Sequence, residues 1–212
     1  MEEPSVITST TTGRAVRFES FGGPEALSVR EVPVPQPGPG QIRVRVTAAG
    51  LNPMDWFMTS DAETAARFGL SLPCGFGTDY AGIVDQVGDG VSEFAVGDRV
   101  FGGVLSRAVA DYVVVDEAGP IAVGGEAHRT PAGVDDHTAA TLAIAGRTAA
   151  AALAVVHPGP GDTVLMALPS LRTVVPGRER FRCASLEDWH ETAPLPGPGE
   201  GRTPLRMWSP ED

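Results

Sequence analysis

Residues 41–50, QIRVRVTAAG, put Ile42, Val44 and Val46 on one side of the chain and Arg43, Arg45 and Thr47 on the other. A period of two fits a strand with one dry face and one wet face, as antiparallel sheets provide. Residues 33–40 just before it, PVPQPGPG, cannot enter a sheet interior, because proline has no N–H to give to a ladder. They form a surface connector. The same grammar of short apolar runs closed by Gly or Pro recurs in RAVRF, LSVREV, TDYAGIVDQVGDG, FAVGDRVFGG and RAVADYVVV. Glycines and prolines punctuate this part of the chain at short intervals. Many short strands joined by tight turns point to a barrel or sandwich. Residues 61–68 read as one short helix, and LNPMDWF, which breaks the alternation, reads as a loop.

The character changes at residues 135–156, DDHTAATLAIAGRTAAAALAVV, which are Ala-rich and free of proline. Alanine is the best helix former, so one helix of about 18 residues is expected here, capped by Asp135 or Asp136 and interrupted by Gly146. HPGPGD ends it, and TVLMAL (163–168) is a continuous apolar run of the kind found in buried parallel strands. A β-rich block followed by helix, turn and buried strand announces the start of an α/β domain. After Pro169 no period of 2 or 3.6 survives. The expected division is a disordered lead-in (1–13), a mainly β domain (14–130), the start of an α/β domain (131–168) and an irregular or disordered tail (169–212).

Composition narrows the chemistry. A net charge of −11 and a pI near 4.7 argue against a nucleic-acid binder, which needs clustered cations. Every basic side chain other than histidine is arginine. The absence of lysine removes Schiff-base chemistry, a P-loop lysine and a Tyr–Lys proton relay. Cys74 and Cys183 alone make neither a disulfide framework nor a metal motif and read as reduced thiols. The acidic, polar N-terminus lacks the signature of a signal peptide, and no apolar run reaches the ~20 residues of a membrane span. The expectation is a soluble cytoplasmic protein. His128, His137, His157 and His190 are scattered, and neither His-Glu-x-x-His nor Gly-x-Ser-x-Gly occurs.

Two stretches could carry a site. GLNPMDW places Asn52, Asp55 and Trp56 directly after the strongest strand, where a rigid scaffold presents side chains. GFGTDYAGIV offers Thr78, Asp79 and Tyr80 beside glycines that permit close approach. Asn before Pro is also plain turn chemistry, and the threonine and aspartate also suit a strand cap. Pattern alone leaves both readings open.

AAGLNPMDW, GTDYAGIVDQVGDGVSEFAVGDRVFG, ADYVVV and AATLAIAGRTAAAAL…PGDTVLM occur in one order between about residues 15 and 166. Together they resemble the medium-chain dehydrogenase/reductase superfamily, in its zinc-independent, quinone-oxidoreductase-like branch. The resemblance implies a GroES-like catalytic domain, a partly open β-barrel, followed by a Rossmann domain that binds NADPH. It implies hydride transfer to a quinone or activated alkene in the cleft between them. Asn52 and Asp55 match the Asn-Pro-x-Asp loop on the substrate side, with Trp56, Thr78 and Tyr80 as further cleft candidates. Thr148 matches a threonine near the nicotinamide, whereas Arg147 stands where an apolar residue is usual. Zinc-dependent members carry Cys at the position of Asn52 and His at that of Thr78, and the four-cysteine zinc loop has no counterpart here. No zinc is therefore expected, and a zinc alcohol dehydrogenase ranks last among the readings.

The likeness stops at Met166. A glycine-rich turn should follow, so that backbone N–H groups can approach a pyrophosphate at a helix N-terminus. Pro169, Ser170, Leu171 and Arg172 stand there instead. A shifted reading frame in a GC-rich gene would produce such a continuation. The expectation is a truncated Rossmann domain and a chain that carries mainly the catalytic domain and is inactive alone. The alternative is a non-enzymatic GroES-like binding module or inert remnant. Apolar surface left by an incomplete sheet would favour self-association.

Overall fold

The computed structural model describes residues 11–157. Residues 1–10 of the expected lead-in, the expected strand TVLMAL and the expected tail lie outside the described residues, while Thr12 and Gly13, expected in the lead-in, are already paired in the first strand. Two antiparallel sheets face one core. In the smaller, β1 (Thr12–Phe18) pairs with β2 (Leu27–Pro33), from Thr12 opposite Pro33 to Phe18 opposite Leu27. The larger begins with β3 (Gln41–Gly50). The chain then makes α1 (Pro53–Met58) and α2 (Ala62–Arg67) before β4 (Cys74–Gly75) joins the free edge of β1. It continues as β5 (Asp79–Val87), β6 (Arg99–Gly103), β7 (Tyr112–Asp116) and β8 (His128–Arg129). The sheet orders are β2-β1-β4 and β7-β3-β5-β6-β8. Residues 109–111 strap the two together: the Val16 and Val46 amides donate to the Val109 and Asp111 carbonyls, and the Asp111 amide donates to the Arg14 carbonyl. The sheets do not close, so the fold is the mainly β, partly open barrel expected from the sequence.

Strand β3 follows its alternation. Ile42, Val44 and Val46 enter the core with Val16, Phe18, Phe76, Tyr80, Val84 and Val100. On the outer face Arg43 makes a two-pronged bond to Asp85 (2.9 and 3.0 Å) and donates to the Pro35 carbonyl (3.1 Å), pinning the proline-rich connector down. The register against β5 shifts between Val46 and Ala48. Such a bulge reverses which residues face inward. Ala49 therefore joins the core, and Ala48 faces out to meet Ala81, Ala139 and Ala140. Both faces of this strand end are covered as a result.

Helix α2 occupies the expected span. The Asp61 side chain caps it, accepting from the Thr64 amide at 2.9 Å. Asp61→Ala removes that cap and should lower the urea midpoint without changing the slope of the transition.

Two expectations are corrected. Residues 53–58 are helix α1 and not a loop: Asn52 occupies the N-cap position, Pro53 the first helical position and Asp55 the third, a helix-start pattern. The single long helix is three pieces: α3 (Asp136–Ala139), a π turn (Leu142–Gly146) and α4 (Arg147–Val156). Asp135 caps α3 by accepting from the Thr138 amide at 2.7 Å. The helix breaks because the Ile144 amide leaves the helical ladder and donates to the Asp79 side chain. The two-residue strands β4 and β8 were not anticipated, being too short to show a period. Among the described residues, no helix is long and apolar enough to cross a membrane.

Candidate functional site

Strand β3 ends at Gly50, and α1 starts three residues later. The Asp55 carboxylate reaches back to accept from the Asn52 amide (2.7 Å), the N3 half of a capping box. Its other oxygen accepts from the Thr78 hydroxyl at 2.6 Å. The Asn52 side-chain amide donates to Asp79, the first residue of β5, at 3.1 Å. Asp79 also accepts from the Ile144 amide in the π turn, at 3.2 and 3.4 Å to its two oxygens. One chain of bonds, Thr78–Asp55–Asn52–Asp79–Ile144, thus links three separate segments: the start of α1, the start of β5 and the π turn.

Asp55 is 0% exposed and Asp79 is 1% exposed. The groups that bond them are neutral, so hydrogen bonding only partly offsets the loss of water. Burial pushes Asp55 up to about 6 against the pull of Thr78 and Asn52. Burial pushes Asp79 up to about 7, opposed by the Asn52 bond and reinforced by repulsion from Asp55. The pair therefore stores protons close to neutral pH. A carboxyl that keeps its proton can donate as well as accept.

The other residues singled out in the sequence are placed differently. Trp56 is half-buried and tilted over Phe76, with ring centroids 4.7 Å apart. Tyr80 follows Asp79 on β5 and so points to the opposite face, into the core. Its hydroxyl donates to the Glu126 carbonyl at 2.8 Å, and burial drives its pKa far upward. Thr148 is exposed on α4 and donates to the Ile144 carbonyl at 2.7 Å. The structure brings Asn52, Asp55 and Thr78 together, sets Trp56 beside them and attaches Thr148 through Ile144. Tyr80 lies behind the site.

Sequence reasoning noticed Asp79 without seeing that it is the hub. It missed Glu126 altogether. This buried glutamate pairs with Arg147 at the start of α4. Its backbone passes so close to Gly102 that a Cβ there would collide with the Glu126 carbonyl. Among the described residues no cluster of three or more His, Cys, Asp or Glu could hold a metal ion.

Residues 38–125 match the alcohol dehydrogenase GroES-like domain. Quinone oxidoreductase of Pongo abelii is 35% identical over 156 residues, covering 72% of this chain and 44% of that protein. The quinone oxidoreductase structure from Coxiella burnetii superposes with a TM-score of 0.63 at 28% identity, over 72% of this chain and 47% of that one. Escherichia coli quinone oxidoreductase complexed with NADPH gives a TM-score of 0.57 at 31% identity, over 66% and 40%. The chain belongs to the medium-chain dehydrogenase/reductase superfamily, in its quinone-oxidoreductase-like branch. It spans less than half the length of these relatives. The GroES-like match takes in β3 to β7, and the site lies where β3, α1, β5 and the π turn converge.

Proposed function

We propose that this chain supplies the substrate side of an NADPH-dependent, zinc-independent oxidoreductase that reduces a quinone or activated alkene by hydride transfer in the cytoplasm. The observation that carries this reading is the closed network of Asn52, Asp55, Thr78 and Asp79. Two of its members, Asn52 and Thr78, match positions where zinc-dependent relatives carry a cysteine and a histidine ligand. The Asn52 amide replaces a thiolate and the Thr78 hydroxyl an imidazole, and both are committed to carboxylates. That donor set does not fit tetrahedral zinc.

NADPH, when bound, would supply the hydride. The residues of this chain would orient the acceptor and manage protons. Asn52, Asp55 and Thr78 line the substrate side, Trp56 adds an apolar wall, and Tyr80 braces the Glu126 loop from within. Thr148 fits the nicotinamide side: its hydroxyl gives its proton to Ile144 and keeps acceptor capacity for an amide N–H. The described residues form no cradle for a pyrophosphate. The Ile144 amide serves Asp79, and Arg147 serves Glu126. The sequence after Met166 has prolines where such a cradle needs bare N–H groups. In this reading residues 14–130 are the catalytic domain and 131–168 begin a cofactor domain. The chain alone neither holds NADPH nor turns over, and the exposed apolar surface of α4, Val155 included, favours self-association.

Two measurements test this. Titrating NADPH against the purified chain should give no saturable change in nicotinamide fluorescence, and saturation at micromolar concentration would overturn that part. Residues 12–157 transplanted into the matching segment of the Escherichia coli quinone oxidoreductase should oxidise NADPH in the presence of a 1,4-quinone, with zinc chelators having no effect. A folded transplant that binds NADPH but reduces neither quinones nor enones would overturn the substrate assignment.

A further inference from the structure

We propose that Asp79 and Glu126 are positioning residues: two carboxylate anchors by which the barrel grips the π turn and the first turn of α4, and so sets where Thr148 stands. In an α-helix the Ile144 amide would bond the Ala140 carbonyl. Here both halves of that bond turn to the barrel. The amide goes to Asp79, and the carbonyl lies against Gly50, where a Cβ would collide with it. Gly50 and Asp79 face each other across β3 and β5, so the two contacts fall at one rung of the sheet. Gly146 weakens the helix locally, and the barrel surface takes up both halves of the bond that would have continued it.

The second anchor lies three residues further on, on the same side of the helical path. Arg147 reaches from α4 to Glu126, whose backbone is fixed by the Tyr80 hydroxyl, by the Gly103 carbonyl that accepts its amide, and by the close pass over Gly102. An amide bond at 144 and an ion pair at 147 together fix the direction and rotation of a helix start. Thr148 is the next residue, and its hydroxyl bonds the carbonyl of Ile144, the residue that Asp79 holds. The grip is a property of this chain. Its value for a hydride-transfer reaction rests on the function proposed above.

Amide hydrogen exchange resolved by residue tests the grip directly. Asp79→Ala should speed exchange at Ile144 at least tenfold and loosen 145–148, while Asp79→Asn, which keeps an oxygen acceptor, should restore the rate to within about threefold. Arg147→Met combined with Glu126→Gln removes the second anchor without leaving a buried charge. It should speed exchange at 148–150 and leave Ile144 within about threefold of the parent. If Asp79→Ala fails to fold, this second variant decides. Unchanged exchange at 148–150 in the double variant, or at Ile144 in a folded Asp79→Ala, overturns the proposal. In the transplanted enzyme the double variant should lower kcat about tenfold with the quinone KM within twofold. An inactive parent transplant would count against the function and leave the exchange result standing.

Discussion

Between about pH 5 and about pH 8 this protein should lose about 4 kcal/mol of folding stability, a direction opposite to that of most carboxylate-bearing sites. Asp55 and Asp79 ionise near 3.8 in the unfolded chain, but burial pushes them up to about 6 and about 7 in the fold. The native state therefore holds more protons than the unfolded state across the interval between. Stability from these groups is complete below 3.8 and drains away as the pH climbs through 6 and 7. Their mutual repulsion means that the second ionisation is resisted more than the first. Exposed carboxylates act the other way. Asp61, Asp98 and Asp135 are held below the usual range by backbone amides and, for Asp98, by Arg129, so strong acid also weakens the fold. Urea unfolding across this range should show a maximum on the acid side of neutrality. Asp79→Asn cannot ionise and relieves the repulsion on Asp55. It should flatten the alkaline limb and exceed the parent in stability at about pH 8. A midpoint that rises steadily from about pH 5 to about pH 8 would sink this account, as would an unchanged slope in the variant.

Phe76→Ala should cost about 3–5 kcal/mol, the range for emptying a buried aromatic site. Phe76 is fully buried, with its ring 5.6 Å from that of Phe18 in an edge-on contact and 4.7 Å from that of Trp56. It joins the small sheet to α1, so the cavity would open between elements that cannot easily collapse onto each other. The damage reaches the site by a short route, because Gly77 and Thr78 follow in the chain and Trp56 neighbours Asp55. Trp56 emission should shift to the red as its cover is lost. Phe76→Leu, which keeps much of the volume, should cost less than half as much. A loss below about 1 kcal/mol for the alanine variant would mean that the core does not depend on this ring.

Where local chemistry decides, the sequence was readable. Ile42, Val44 and Val46 alternate with arginines and are buried as that pattern requires. The Asp61 cap and its helix are where their residue types place them. Helix α1 was legible in principle from Asn52, Pro53 and Asp55, but six residues are too few to show a 3.6-residue period. The break in the Ala-rich segment was half legible: Gly146 marked an interruption, and the π turn ends there. The partner that draws the Ile144 amide away, Asp79, lies 65 positions earlier in the chain and left no local sign. Glu126 gave no signal, since its partners Tyr80 and Arg147 converge on it only in the fold. The site was half visible: Asn52, Asp55 and Thr78 stood out, while Asp79 looked like an ordinary strand cap. Tyr80 drew attention as a polar aromatic beside them, yet strand alternation alone turns it inward.

Gly50 is barred from carrying a side chain by Ala140, a residue from the far side of the expected division near residue 130. Ala48 and Ala81 likewise owe their cover to Ala139 and Ala140. A recombination point at 130 would strip that cover and leave Asp79 without the Ile144 amide. Two lineages exchanging halves there would each receive a strand end shaped for a neighbour it had left behind. The heritable module in this chain is the barrel together with the stretch through the π turn and Arg147, and a crossover that preserves both anchors must fall beyond Arg147.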